Sequence, residues 1–418
     1  MVFSQPPFVT GLQCIVCGTQ VAHGNVFTCT RCGSEGILDV RYDIAAAAPQ
    51  LTSALAQRPA DCWRYRELLP VAPEIPLPHL QVGWTPVYEV PRLARALGVR
   101  KLYLKDDGRN PTSSFKDRAS SVGVLKAIEF GYREIACAST GNAASSLAGL
   151  SAAVGLKSYI FVPERAPEPK ITQLLIFGAT VFRVKGTYEQ AFDLCREACD
   201  RFGWYSRNSG TNPYLVEGKK TAGLEIGEQM RDRLPDWVAV SVGDGCTIGG
   251  IGKGLREMHE LGIIPRVPRL LGVQAEGARP IVDAWCSGKD LVPTGTSTIA
   301  DSIAVGTPRN WRRAIREVRD SHGEMIAVDD GAILGAMRLA ARSGGVFGEP
   351  AGVAGVAGIR KAVEDNIIKS NESVLAVVTG NGLKDIKSAQ QAAGKEYLVE
   401  PEIDSVAGAL STMLRTTA

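Results

Sequence analysis

From residue 101 to residue 379, short apolar or β-branched runs alternate with longer segments of helical period. The runs are Lys101–Lys105, Ile135–Ala138, Ser158–Val162, Thr180–Val184, Trp237–Val242, Leu270–Val273 and Val374–Thr379. Between them, Phe115–Phe130, Ala143–Val154 and Tyr188–Phe202 repeat their apolar residues three and four apart, the spacing of a helix face. Continuous apolar strands are covered on both faces, and strands separated by helices need crossover connections. The pattern therefore predicts an α/β fold with mostly parallel, twisted sheets. Open sheets of that kind bind ligands at the carboxyl ends of their strands, so the turns after the runs are where chemistry should be sought.

The first forty residues depart from this pattern. Cys14-x2-Cys17, eleven intervening residues and Cys29-x2-Cys32 form two matched pairs, with Gly18 and Gly33 following them for tight turns. Four thiolates at this spacing close a tetrahedral shell around zinc and leave no open position, which makes the site structural, a small four-cysteine zinc ribbon. A redox motif would need only one pair. A nucleic-acid ribbon would need more than the two basic residues present, Arg31 and Arg41. From Asp43 to about Thr85 an Ala- and Pro-rich stretch predicts a short helix and then a meandering connector.

Charge and composition narrow the function classes. With 45% hydrophobic and 22% charged residues, the 418-residue chain has the composition of a globular protein with a sizeable core. A net charge of +3 is too mild to imply nucleic acid or an acidic membrane surface. No run approaches the roughly 18 apolar residues that span a bilayer. The start, MVFSQPPFVTGLQC, lacks the basic and apolar regions of a secretory signal. Cys62, Cys137, Cys195, Cys199, Cys246 and Cys286 are scattered, as free thiols are in a reducing cytoplasm. The expected location is cytoplasmic.

Three turns carry candidate chemistry. The first is Asn110-Pro111-Thr112-Ser113-Ser114-Phe115-Lys116-Asp117-Arg118, where Thr112 or Ser113 is expected to cap the following helix. Lys116 then lies in the first helical turn, near the positive end of the dipole. Cationic surroundings and burial both lower a lysine pKa, as a Schiff-base lysine requires. The second turn, Ser139-Thr140-Gly141-Asn142 after Ile135–Ala138, opens a helix whose free N–H groups can receive a carboxylate or phosphate. The third, Val242-Gly243-Asp244-Gly245-Cys246-Thr247-Ile248-Gly249-Gly250, lets backbone approach an anion closely. It is no nucleotide loop, since Gly254 follows Lys253 where Ser or Thr is needed. It is no dinucleotide fingerprint either, because Ile248 stands in the place of the third glycine. Such a cradle fits a phosphorylated cofactor such as pyridoxal phosphate.

Taken in order, these loops resemble those of the pyridoxal-phosphate (PLP) fold-type II family, threonine synthases in particular. The resemblance rests on PTSSFKDR around Lys116, STGN ending at Asn142, NPYLVEGKKT ending at Thr221, VGDGCTIGG, GEPA at Gly348–Ala351 and TGNGLKD from Thr379 to Asp385. A cysteine ribbon precedes the fold in some threonine synthases. The resemblance implies that Lys116 is joined to the cofactor as a Schiff base and moves protons once substrate releases it. Asn142 would bond the 3′-oxygen of the ring. The backbone N–H groups of Gly243, Asp244, Gly245, Cys246 and Thr247 would hold its phosphate. Thr379 would face the ring nitrogen, and a neutral hydroxyl there makes the ring a moderate electron sink, suited to loss of a group from Cβ or Cγ. Ser139 to Asn142 would receive the substrate carboxylate, with Thr140 the side-chain donor.

The activity so implied converts O-phospho-L-homoserine and water to L-threonine and phosphate. Candidates for the leaving phosphate are Lys116, Arg207, Asn208, Ser209, Lys219 and Lys220. One departure is notable: threonine synthases often carry a phosphate-gripping arginine two residues before the Glu-Gly of this motif, and here Leu215 occupies it. The alternative reaction is β-replacement or elimination on another activated amino acid such as O-phosphoserine or threonine, as in cysteate synthases, diaminopropionate synthases and threonine dehydratases. A non-catalytic interaction module is disfavoured by the intact Lys116, Asn142, glycine loop and Thr379. The expected organisation is a zinc ribbon over residues 1–42, a large cofactor domain over 43–119 and 223–418, and a small mobile domain over 120–222. A homodimer acting on a small amino acid, with no nucleic-acid or membrane partner, is expected.

Overall fold

The computed structural model describes residues 3–416. Strands β1 (Val9–Cys14), β2 (Gln20–Val21) and β3 (Leu38–Tyr42) form an antiparallel sheet in the order β2-β1-β3. The two cysteine pairs sit on the turns around it. Gly18 (φ 72°) and Gly33 (φ 57°) take left-handed backbone there, and their N–H groups return to Cys14 O and Cys29 O at 2.9 Å. The next strands are β4 (Val87–Glu89) and β5 (Lys101–Asp106). Then β6 (Glu134–Ala138), β7 (Lys157–Pro163), β8 (Thr180–Val184) and β9 (Tyr205–Ser206) make a wholly parallel sheet ordered β8-β7-β6-β9.

The larger sheet is completed by β10 (Trp237–Ser241), β11 (Arg269–Ala275), β12 (Glu324–Val328) and β13 (Ser373–Val378). Its order is β12-β11-β10-β13-β5-β4, parallel except for the edge strand β4. Every residue of β10 and β13 is buried, as their unbroken apolar runs require. Alternation divides the core: Val374, Ala376 and Val378 face one layer, Leu375 and Val377 the other. The chain moves outward from β10 through β11 to β12, then returns to place β13 on the other side of β10. That reversal opens a crevice at the carboxyl ends of β10 and β13.

All seven predicted runs are strands, with ends shifted by up to two residues, and the three periodic segments are helices. The remaining strands of the α/β region, β4, β9 and β12, were not foreseen. β4 and β9 are too short to show periodicity, and β12, Glu-Met-Ile-Ala-Val, begins with a charge and lacks a long apolar run. No helix among the described residues is long and apolar enough to cross a membrane.

Two buried ionic clusters join the layers. Arg118 pairs with Asp107 at 2.6 Å and Glu225 at 2.5 Å, and Lys105 with Glu225 at 2.8 Å. This cluster locks the Lys116–Glu129 helix to the end of β5 and to the Tyr214–Gln229 helix. In the other, Asp39 of β3 meets Lys253 and Arg313, each at 3.0 Å, while Lys253 also reaches Glu217 at 2.6 Å. Lys220, an expected phosphate ligand, belongs here instead: it pairs with Glu217 at 2.8 Å and Glu257 at 2.9 Å. Its side of the helix faces the ribbon, away from the crevice.

Candidate active site

Lys116 begins its helix, and the segment before it is fixed by the strand end it lies against. Phe115 N donates to Thr379 O at 2.8 Å and Asn381 N to Ser113 O at 3.1 Å, which brings Lys116 beside Thr379. The expected cap is not formed. Ser113 adopts φ 64°, Phe115 is the capping residue without a side-chain bond, and Thr112 is held by the helix instead. Asp117 reaches back to accept from Thr112 N at 2.7 Å and Thr112 Oγ1 at 2.5 Å. Asp117 thus ties the preceding loop to the first turn, and no side chain caps the N–H groups of the helix.

Burial pushes the Lys116 amine down to about 8, with Lys219 and Arg207 adding to the effect and Glu349 and Cys246 opposing it. Lys116 lines a cavity with Gly243, Asp244, Gly245, Cys246, Thr247 and Thr379. A second cavity shares Asn142, Ser302 and Glu349 with it and adds Thr140, Gly141 and Lys384.

The glycine loop has the form of an anion cradle. Gly245 (φ 90°) precedes the Cys246–Glu260 helix, whose first N–H groups have no side-chain cap. A Cβ on Gly245 would lie 2.6 Å from Asn310 O, and one on Gly243 2.9 Å from Ile303 Cα. The Asp244 carboxylate is turned to Arg309 N (2.7 Å) and Asn310 Nδ2 (3.3 Å). These donors, with the depressed Lys116 amine, fit PLP.

Asn142 is buried and donates to Glu349 Oε1 at 2.6 Å, with Ser302 Oγ at 3.5 Å. Burial raises Glu349 to about 7, against the pull of Lys116 and the Asn142 bond. Thr140 lines the second cavity, while Ser139 Oγ accepts from Gly141 N at 3.2 Å and shapes the turn. Ser209 lines the cofactor cavity; the Asn208 carbonyl closes its turn onto Thr211 N and Asn212 N, and Asn208 is not among the residues lining either cavity. Glu349 was missed by sequence reasoning although GEPA marked its position, because a glutamate before a helix reads as an ordinary cap. Ser302 carried no pattern, and Lys384 lay inside the TGNGLKD motif without being singled out.

In the ribbon, the Cys14, Cys17, Cys29 and Cys32 sulfurs all lie within 4.8 Å of one another, and Cys17 and Cys29 are 3.7 Å apart. A zinc tetrahedron with Zn–S bonds of about 2.3 Å has edges of about 3.8 Å. The thiolates fit that ion.

Comparison with known proteins agrees with this geometry. Residues 79–380 match the family model described as "Pyridoxal-phosphate dependent enzyme". A threonine synthase of Methanosarcina acetivorans is 38% identical over 96% of this chain and 98% of its own length. That of Methanocaldococcus jannaschii is also 38% identical, over 94% and 97%. Among solved structures, diaminopropionate ammonia lyase from Escherichia coli superposes with a TM-score of 0.64 at 18% identity, covering 94% of this chain and 98% of that one, a likeness of fold. With a family model matched over residues 79–380 and near full-length relatives, the chain belongs to the pyridoxal-phosphate dependent enzyme family.

Proposed function

We propose that this enzyme is a lyase converting O-phospho-L-homoserine and water to L-threonine and phosphate. The observation that carries the reading is the 38% identity to threonine synthases across 96% of the chain. PLP, held by Lys116 and the Gly243–Thr247 loop, supplies an electron sink for breaking bonds next to an amino-acid Cα. The residues of this chain do the rest. Lys116 Nζ, lowered to about 8, exchanges protons near neutral pH without strong cost in either direction. With the cofactor bound, Thr379 would offer a neutral hydroxyl to the ring and Asn142 would offer a donor to its 3′-oxygen. Thr140 and the N–H groups at the start of the Asn142–Val154 helix bind the substrate carboxylate.

Residues 120–222 act as a small domain that closes on substrate and excludes bulk water, and the enzyme works as a cytoplasmic homodimer. The four-stranded parallel sheet within that segment and the scattered free cysteines support this reading. The test presents O-phospho-L-homoserine, O-phospho-L-serine and L-threonine to the holoenzyme side by side and follows phosphate, keto acid and amino-acid products. Threonine and phosphate in equal amounts from phosphohomoserine are expected. No turnover of that substrate, with phosphate or keto acid from either of the others, would refute the assignment. Sedimentation of the holoenzyme tests the dimer.

A further inference from the structure

One acid is built into the junction of the two cavities. Glu349 is 6% exposed and lines both of them, as do Asn142 and Ser302. Its backbone is fixed to the end of β13: Glu349 N donates to Gly380 O at 3.0 Å, and Gly348 bridges to Asn381. Neighbouring glycines clear space for the carboxyl group. A Cβ on Gly380 would collide with Glu349 Oε1, and one on Gly352 would press on Glu349 Cγ at 3.4 Å. Burying a carboxyl group is unfavourable, and among the described residues no cation forms an ion pair with this one. A fold that makes room for such a group keeps it for the site.

The hydrogen bond to Asn142 shows what it does there. An ionised carboxylate only accepts, so it selects the amide orientation in which Asn142 Nδ2 donates to Glu349 Oε1, at 2.6 Å. The amide nitrogen carries a second N–H, which is left for the cofactor cavity that Asn142 lines. A neutral amide in place of the carboxylate could donate to Asn142 Oδ1 instead and turn that nitrogen away. Charge points the same way. Burial raises Glu349, while Lys116 of the cofactor helix, Lys384 after β13 and Lys170 of the Glu168–Ile176 helix pull it down. Lys170 is already paired with Asp301 at 2.8 Å, and Lys384 also feels Asp117. Lys116 forms no ion pair among the described residues, and against burial, Lys219 and Arg207 it is Glu349 that pushes its amine back up.

We propose that Glu349 is a positioning residue of the cofactor site, which turns the Asn142 amide so that one N–H faces the cofactor ring oxygen and supplies the counter-charge of Lys116. This rests on the placement of Lys116 and Asn142 at the cofactor proposed above. The test compares wild type with Glu349→Gln, which keeps the shape and removes the charge, and with Glu349→Asp, which keeps the charge. Glu349→Ala serves as the uncharged variant should Glu349→Gln not fold. Apoenzyme of each is reconstituted with PLP across a range of pH. Loss of a nearby negative charge lowers the pKa of an amine, so the pH at which the rate levels off should fall by about one unit in Glu349→Gln. In Glu349→Asp it should stay near the wild-type value. Dissociation constants for PLP are then measured for wild type, Glu349→Gln, Asn142→Ala and the double variant. Each single change should weaken binding about fivefold, and the double variant should bind no more weakly than Asn142→Ala, because Glu349 acts through Asn142. A residue that merely fills space would leave the pH curve in place and give losses that add. An unshifted curve in the uncharged variant, or additive losses, would overturn the proposal. Borohydride reduction separates this from its premise: a stable adduct away from Lys116 would overturn the cofactor placement and this inference with it, whereas an adduct at Lys116 with an unshifted curve would remove Glu349 alone.

Discussion

Asp39→Asn removes one negative charge from the junction between the ribbon and the body while nearly preserving shape. The carboxylate is 2% exposed and serves Lys253 and Arg313 at 3.0 Å and Arg316 at 3.5 Å. Lys253 keeps Glu217, and Arg316 is partly exposed, so its pair contributes little. Arg313 is fully buried and, among the described residues, pairs with no second carboxylate; Leu38 O remains, at 2.8 Å. Leaving one buried charge without its partner costs about 3 kcal/mol or somewhat more. The sheet β1–β3 docks through this contact, so the loss should appear as local opening. Amide hydrogen exchange in β3 should quicken by roughly a hundredfold, since about 1.4 kcal/mol is a factor of ten. Burial alone would raise the Asp39 pKa, but Lys253, Arg313 and Arg316 together hold it well below the usual carboxylate range. A depressed carboxylate contributes stability that is complete above its unfolded value and lost only as pH falls through the folded one. The β3 difference between wild type and variant should therefore persist from neutral pH down to about pH 4. Exchange in β3 within twofold of wild type would show that the junction is held by apolar packing and that the ionic cluster contributes nothing net.

The other outcomes concern cofactor and metal. Lys116→Ala should reduce threonine formation by about a thousandfold or more and leave no borohydride-stable link between chain and cofactor; a rate within tenfold of wild type would remove Lys116 from the mechanism. The unprotonated amine is what attacks the cofactor aldehyde, so the rate of reconstituting apoenzyme with PLP should rise with pH and level off above about 8. Continued rise past pH 10, as an ordinary lysine gives, would contradict the lowered value. Gly245→Ala must place a Cβ 2.6 Å from Asn310 O at φ 90°, and PLP affinity should fall about tenfold or more; equal affinity would mean the cradle lies elsewhere. Cys14→Ser, or prolonged chelation, should release one zinc per chain and lower the unfolding temperature, with the activity of still-folded enzyme kept above half. A matching loss of activity in folded protein would make the ribbon part of the catalytic unit.

Much of the fold was legible because the informative strands are short, apolar and punctuated by glycine turns. β10 and β13 stand out in the sequence for the same reason that they are buried on both faces. The residues that meet at the first cavity were legible too, since Lys116, Asn142, the 243–247 loop and Thr379 each follow a predicted strand or open a helix. What escaped was whatever depends on tertiary placement. Glu349 looks like a helix cap until Asn142 is seen against it at 2.6 Å, joining residues 207 positions apart. Thr112 looks like a cap until Asp117, buried beneath it, takes both of its donors. Ser302 sits in a single 3-10 turn, Asp301–Ile303, too short for any periodicity to mark its approach to Asn142.

Lys219 and Lys220 show why that distinction matters for function. In the sequence the two are equal members of Glu-Gly-Lys-Lys-Thr. On a helix, neighbours point about 100° apart, so one rotation of the Tyr214–Gln229 helix decides which faces the cavity. The rotation is set by close backbone contacts: a Cβ on Gly218 would lie 2.0 Å from Arg118 O, and one on Gly223 2.2 Å from Ile251 O. Those glycines hold the helix against both neighbours, and Lys220 is then drawn to Glu217, Glu257 and the Tyr42 ring 3.8 Å away. The carboxylates on that side are taken up by Lys220 and Lys253, while Lys219, turned the other way, forms no ion pair among the described residues. The same cluster that seats the ribbon therefore keeps the charge of Lys219 unneutralised at the cavity. A tightly packed helix with its acids on one face gives two identical side chains different surroundings, one inside an ionic cluster and one on the wall of the cavity.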